Sequence, residues 1–217
     1  MREKILRLLI RMVSRAEVLR LRARFYIMSR LTSRRSDEVE ALACLVGQCF
    51  HEEIGGPVGV RWAIMGRSGY ETSVAGVITH PICWEAPAGI TVFVGKPQTP
   101  ICGLGVELLG NVLSIRQMQG VFGIQTRGGI SQWPKFLVYG CMEFAHRHRF
   151  VLRLYGADQG MFYYRPDIQT KNIVAYKRER DEHRRRMRRR YDGTARQLGF
   201  VKKKRYWEWR SPEARAQ

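Results

Sequence analysis

Acidic residues are the scarce component of this chain: 19 Asp and Glu stand against 38 Lys and Arg among 217 residues. Long apolar runs are missing too. No stretch approaches the ~18 apolar residues of a membrane-spanning helix, and Arg7 and Arg11 break the N-terminal apolar run, so neither a span nor an export signal is expected. The five cysteines, Cys44, Cys49, Cys83, Cys102 and Cys141, are odd in number, irregularly spaced and without a C-x-x-C pair. That pattern reads as reduced thiols in a cytoplasmic protein, not as a disulfide framework. His146 and His148 fall two apart on a helix and point to different faces, and His51 beside Glu52 and Glu53 has no further ligand at zinc spacing, so no metal is expected. There is no nucleophile elbow, P-loop or internal repeat, which excludes the hydrolase and NTPase classes built on those loops.

What is present is cation, and it is segregated. Residues 1–35 carry eleven Lys/Arg against Glu3 and Glu17, and residues 171–205 carry fifteen against four acids, whereas residues 36–170 hold ten against eleven. A neutral middle is thus flanked by two basic segments that repel within themselves. A polyanion relieves that repulsion. Nucleic acid is the first candidate and anionic lipid the second, beside the plain alternative of a solubilising charged face. The hydrophobic share of 45% is enough for an ordinary folded core.

Residues 1–30 lack Gly and Pro, and Ile5, Leu6, Leu9, Met12 and Val13 recur at helical spacing between arginines. This is a basic amphipathic helix that either docks on the core or lies on anionic lipid at the inner face of the membrane. A polar break at 32–37 leads to a second helix over 36–50 with Ser36 as N-cap. Short β-type runs at 58–65, 73–79 and 89–94 among Gly and Pro predict an antiparallel meander, and 103–109 reads equally as short helix or loop. Residues 111–118 are a strand, 119–131 a Gly-bearing loop, 133–149 a helix with Pro134 in its first turn, and 150–155 a strand. Strand, loop, helix, strand within some forty residues predicts a βαβ unit with parallel strands. Residues 172–199 read as one long helix or two in series, stopped by Gly199, and 204–210 alternates as a closing strand.

This order, with Tyr191-x₇-Gly199-Phe200 closing the last helix before a final strand, resembles the GNAT family of acyl-CoA N-acyltransferases. The resemblance implies an α/β (α+β) fold with a mixed sheet and a βαβ core, and an acyl-CoA such as acetyl-CoA as cofactor. It places the CoA pyrophosphate on the 119–131 loop, where Gln119, Gly120, Gly123, Gly128 and Gly129 give backbone access and Arg127 adds charge. Phe122 stands where the family loop has a small residue. Tyr191 takes the place of the acid that protonates the leaving thiolate. Acyl transfer to an amine needs a base to deprotonate the nucleophile. Glu107 before the 111–118 strand and Glu143 in the following helix are the nearest carboxylates. Asp158 stands just past a strand C-terminus, where open α/β sheets place functional groups.

A second resemblance, over roughly residues 90–200, is to the bacterial VirK/YbjX family. It rests on Met118-Gln119-Gly120, on Trp133-Pro134-Lys135-Phe136-Leu137-Val138, on Tyr191-Asp192 with Leu198-Gly199, and on Arg188 to Tyr191. It implies a link to the envelope and no assigned reaction. Between Arg178 and Arg190 lie eight arginines, a density like that of arginine-rich nucleic-acid-binding helices. Arg184, Arg185, Arg186, Arg188 and Arg189 are the expected phosphate contacts, with Tyr163, Tyr164, Tyr206, Trp207 and Trp209 as candidate stacking platforms. The expected organisation is a basic helix and linker over 1–35, an α/β domain over 36–210 and a tail over 211–217.

Overall fold

Apolar residues three and four apart put Val39, Leu42, Ala43, Val46 and Phe50 on one buried face of a helix, Ser36–Ile54 (α1). In the computed structural model the described residues are 23, 27, 28, 30–32, 34–66, 69–72, 86–95, 99–120, 130–155, 185 and 188–215. Most of the N-terminal helix expected over 1–30, the strand expected over 73–79 and the whole 156–184 stretch lie outside them. α1 runs four residues further than its expected end at Phe50. It stops at Gly55, whose left-handed φ of 68° suits a residue without Cβ. Arg35, not Ser36, is its N-cap, and the Ser36 hydroxyl bonds Asp37 instead.

The strands are Val58–Gly66 (β1), Gly69–Thr72 (β2), Ala88–Val94 (β3), Thr99–Leu109 (β4) and Val112–Gly120 (β5). A 3₁₀ turn leads into the helix Trp133–Arg147 (α2), followed by Val151–Tyr155 (β6). Residues 188–197 are helical (α3). Val201–Lys202 (β7) and Tyr206–Trp209 (β8) form a hairpin, and Pro212–Arg215 (α4) a last helical turn. All eight strands join one sheet in the order β2-β1-β3-β4-β5-β6-β8-β7. Among the described residues only β5 and β6 are parallel, with α2 as the crossover between them; every other described pair is antiparallel. The fold is therefore mixed α+β.

The 103–109 stretch, ambiguous in sequence, is neither helix nor loop but half of β4, the longest strand. Gly103 and Gly105 hide its alternation. Leu104, Val106 and Leu108 point to the buried core with Ile90, Val92, Leu113, Ile115, Met118, Leu152 and Leu154, and the same cluster takes in the buried faces of α1 and α2. Gly105 faces the other way, where an added Cβ would lie 2.7 Å from the Ala86 Cβ. The two helices are in close contact through Gly140 of α2, whose added Cβ would sit 2.6 Å from Val46 Cα on α1.

Burial sorts the described thiols. Cys102 and Cys141 are fully buried, which pushes both thiols far above their ordinary range, whereas Cys44 is exposed. Cys49 is raised by partial burial and by Glu52, Glu143 and Glu53. Only the thiolate reacts with alkylating agents. Brief iodoacetamide treatment at neutral pH is therefore expected to label Cys44 first and Cys49 slowly. Cys102 and Cys141 are expected to react only after denaturation, as read by peptide mass spectrometry.

Candidate functional site

The parallel pairing of β5 with β6 covers Val112 to Ile115, opposite Val151 to Leu154, and then stops. β5 continues for five more residues to Gly120. Where that pairing ends, β5 carries a bulge. Val106 of β4 pairs with Ile115 and Gly105 with Gln117, so Arg116 is the extra residue. Beyond it, the main chain of β5 faces β4 on one side and on the other has no β6 partner among the described residues. A strand edge of this kind leaves backbone N–H and C=O groups that must find partners elsewhere.

Tyr191 of α3 supplies them. Its hydroxyl accepts from the Met118 N–H at 2.6 Å and donates to the Met118 C=O at 3.2 Å, so one side chain replaces one rung of a missing strand. The ring is 4% exposed and belongs to the core cluster. The same slot is bordered by the start of α2. Trp133 lies over Gly120, where an added Cβ would meet the indole at 3.1 Å, and the Arg190 guanidinium of α3 stands 5.0 Å from the indole ring centroid. Gln119 and Gly120, expected in a loop, are thus the last two residues of β5, and Gly120 is a packing glycine under Trp133. Gly123, Arg127, Gly128, Gly129 and Asp158 lie outside the described residues, as do Arg184 and Arg186.

On the opposite face of the sheet the polar groups gather. Glu107 projects there because its neighbours Val106 and Leu108 point into the core. It sits inside β4, opposite Ser114, 7% exposed, with the Arg116 Nε 3.8 Å away. The bulge aims Arg116 so that its guanidinium also covers the Tyr155 ring at 4.0 Å. One strand over, Arg153 bonds Glu208 at 3.3 Å and covers Tyr206. Gln117, 1% exposed, donates from Nε2 to Gln119 while its Oε1 is buried without a partner. An unsatisfied buried acceptor costs on the order of 1–3 kcal/mol and is the kind of group a ligand donor satisfies.

The slot was only partly visible in sequence. Tyr191 was placed correctly on the last helix, yet nothing in the residue order tells which main-chain atoms its hydroxyl reaches. Arg116, Gln117 and Tyr155 were missed, because the bulge shifts β5 out of strict alternation at Arg116. Of the expected stacking platforms, Tyr163 and Tyr164 lie outside the described residues; of the described ones, Trp207 and Trp209 are buried in the core and Tyr206 is half-buried against Tyr155. Arg185, Arg188 and Arg189 are exposed. Among the described residues no helix is long and apolar enough to cross a membrane, and no group of three His, Cys, Asp or Glu is placed to hold a metal ion. No protein family, curated protein or solved structure matches this chain.

Proposed function

We propose that this chain is a GNAT-like, acyl-CoA-dependent N-acyltransferase domain whose donor lies in the slot where β5 leaves β6. The observation that carries the reading is the pair of Met118 main-chain groups, capped by the Tyr191 hydroxyl on a strand edge with no β6 partner among the described residues, beside the N-terminus of the crossover helix. An extended, amide-bearing thioester arm can hydrogen-bond such an edge as an added strand does. The element order supports it as well, since a parallel pair crossed by a helix, then α3, then a closing strand is the order through which the chain resembles that family. In this reading an amine approaches from the Glu107 face of the sheet toward a donor held on the Tyr191 side.

In the reaction, the amine nitrogen attacks the thioester carbonyl and forms the C–N bond. Its proton passes to Glu107, directly or through water. The C–S bond breaks and the departing thiolate takes the hydroxyl proton of Tyr191, which moves off Met118 as the donor arm enters. At about 1 mM acetyl-CoA, near a hundredfold above a dissociation constant of about 10 μM, mass action adds about 2.7 kcal/mol to stability. For a chain of this size that is a Tm rise of about 5–10 °C. Differential scanning fluorimetry reads it, and an unmoved Tm at that concentration refutes the donor site.

A second reading, favoured by the exposed Arg185, Arg188 and Arg189, is recruitment of this domain to a polyanion by its basic segments.

A further inference from the structure

The two C-terminal basic stretches are separate in sequence, one in the arginine-rich helix and one in the Lys202-Lys203-Lys204-Arg205 run. The fold joins them. Asp192 of α3 accepts from the Trp207 indole N–H of β8 at 2.8 Å and approaches Lys202 of β7 at 3.9 Å. Arg196 of α3 and Lys202 both stand over the Trp207 ring, at 5.6 and 4.6 Å from its centroid. The helix is thereby clamped to the hairpin. Arg188, Arg189 and Arg196 on one side and Lys202, Lys203, Lys204 and Arg205 on the other are all exposed.

From residue 185 to residue 210 there are eleven Lys/Arg and two acids, Asp192 and Glu208. Each acid pairs with one cation of the patch, Asp192 with Lys202 and Glu208 with Arg210, and an excess of nine positive charges remains (eleven less two). Asp192 is spent on Trp207 and Lys202, and Glu208 is 8% exposed and bonded to Arg153 and Arg210.

We infer that the α3 face and the β7–β8 turn together form one docking surface for the phosphodiester backbone of nucleic acid, read by charge and not by base. The inference deepens the polyanion reading, on which it rests, and is independent of the acyl-donor slot. The nine helical residues from Arg188 to Arg196 span about 12 Å, a length of duplex carrying about seven phosphate charges. Base reading is disfavoured because Trp207 and Trp209 are buried and Tyr206 is stacked against Tyr155 and Arg153. A lipid surface is disfavoured because a membrane-docking element presents an apolar face beside its cations. Here Val201, 53% exposed, is the large exposed hydrophobic residue of the described patch.

The test uses the full chain and a fluorescent DNA duplex of about three helical turns (~30 bp) in two unrelated sequences. Affinity is measured by anisotropy across a salt series. The protein is expected to bind both sequences alike, with log Kd rising steeply with log salt. Lys203→Gln, Lys204→Gln and Arg205→Gln combined are expected to lower that slope by about 2–3, since each phosphate contact contributes ~0.9, and to weaken binding at least about tenfold at moderate salt. A control removing equal charge from the neutral middle of the chain, Arg61→Gln, Arg147→Gln and Arg149→Gln, is expected to leave the slope nearly unchanged.

Binding by the wild type with equal losses in both triple variants overturns the joined surface while leaving recruitment to a polyanion intact. No binding to DNA at low salt overturns both. A preference for one duplex sequence overturns charge-only reading. Tighter binding to vesicles of phosphatidylcholine and phosphatidylserine than to the duplex, lost in the hairpin variant, assigns the surface to lipid and overturns the inference.

Discussion

Tyr191→Phe is expected to lower the unfolding free energy by about 2–4 kcal/mol, a large effect for the loss of one oxygen atom. The ring is buried, so its packing survives, but the Met118 N–H and C=O both lose their partner. A buried donor or acceptor left unsatisfied costs ~1–3 kcal/mol, and here there are two on one residue. Urea unfolding should show a lower midpoint with an unchanged m-value, because the surface exposed on unfolding is nearly the same. A loss under ~0.5 kcal/mol would mean that water already reaches the edge of β5. The same variant probes the proposed donor slot. A thioester arm that pairs with Met118 restores what the phenylalanine removed, so acetyl-CoA should raise the Tm of the variant more than that of the wild type. Turnover should fall, since the proton for the thiolate is gone. An equal or smaller thermal shift in the variant would show that the donor does not use the Met118 groups.

Gly140→Ala is the second large effect, and it is purely one of packing. A methyl group at this position would lie 2.6 Å from Val46 Cα and 2.9 Å from Val46 N, so the backbone of α1 must move away from α2. Those helices share the core through Val39, Leu42, Val46, Phe50, Leu137, Cys141 and Phe144, and separating them loosens contacts along their whole length. The expected cost is about 3 kcal/mol, toward the upper end for overpacking, and a Tm fall of about 6–12 °C. Gly193→Ala is the contrast. That glycine is helical and an added Cβ meets nothing within 4 Å, so the same substitution should raise stability by up to about 1 kcal/mol. Equal effects at the two positions would contradict the close approach of α1 and α2.

Local signals in the chain were strong wherever one residue type does one job. The βαβ unit was readable because a strand, a Pro-started amphipathic helix and a second strand follow within one short stretch, and β5, α2 and β6 form as that pattern requires. Gly199 was readable as a helix stop, and it adopts a φ of 74° with the Phe200 N–H bonded back to Ala195. β4 was not readable. Its glycines at 103 and 105 lower the apparent strand propensity, and their reason is tertiary, since Ala86 lies against one of them. Gly120 gives the same lesson from the other side. It reads as a phosphate-loop glycine in sequence and serves as the floor under Trp133 in the fold.

The sequence by itself determined the segregation of charge, the amphipathic faces of α1 and α2, the parallel βαβ core and the helix that ends at Gly199. All of these depend on residues near one another along the chain, where periodicity and composition carry the information. Only the tertiary structure decided that β8 enters the sheet between β6 and β7, and that Tyr191 closes an edge of β5 73 residues away. It alone set Glu107 beside Arg116 on the far face and joined the arginine helix to the lysine turn through Asp192 and Trp207. Those arrangements are pairings between distant strands and side chains. Many registers would satisfy the same local pattern, and the choice among them is made by burying the whole core at once.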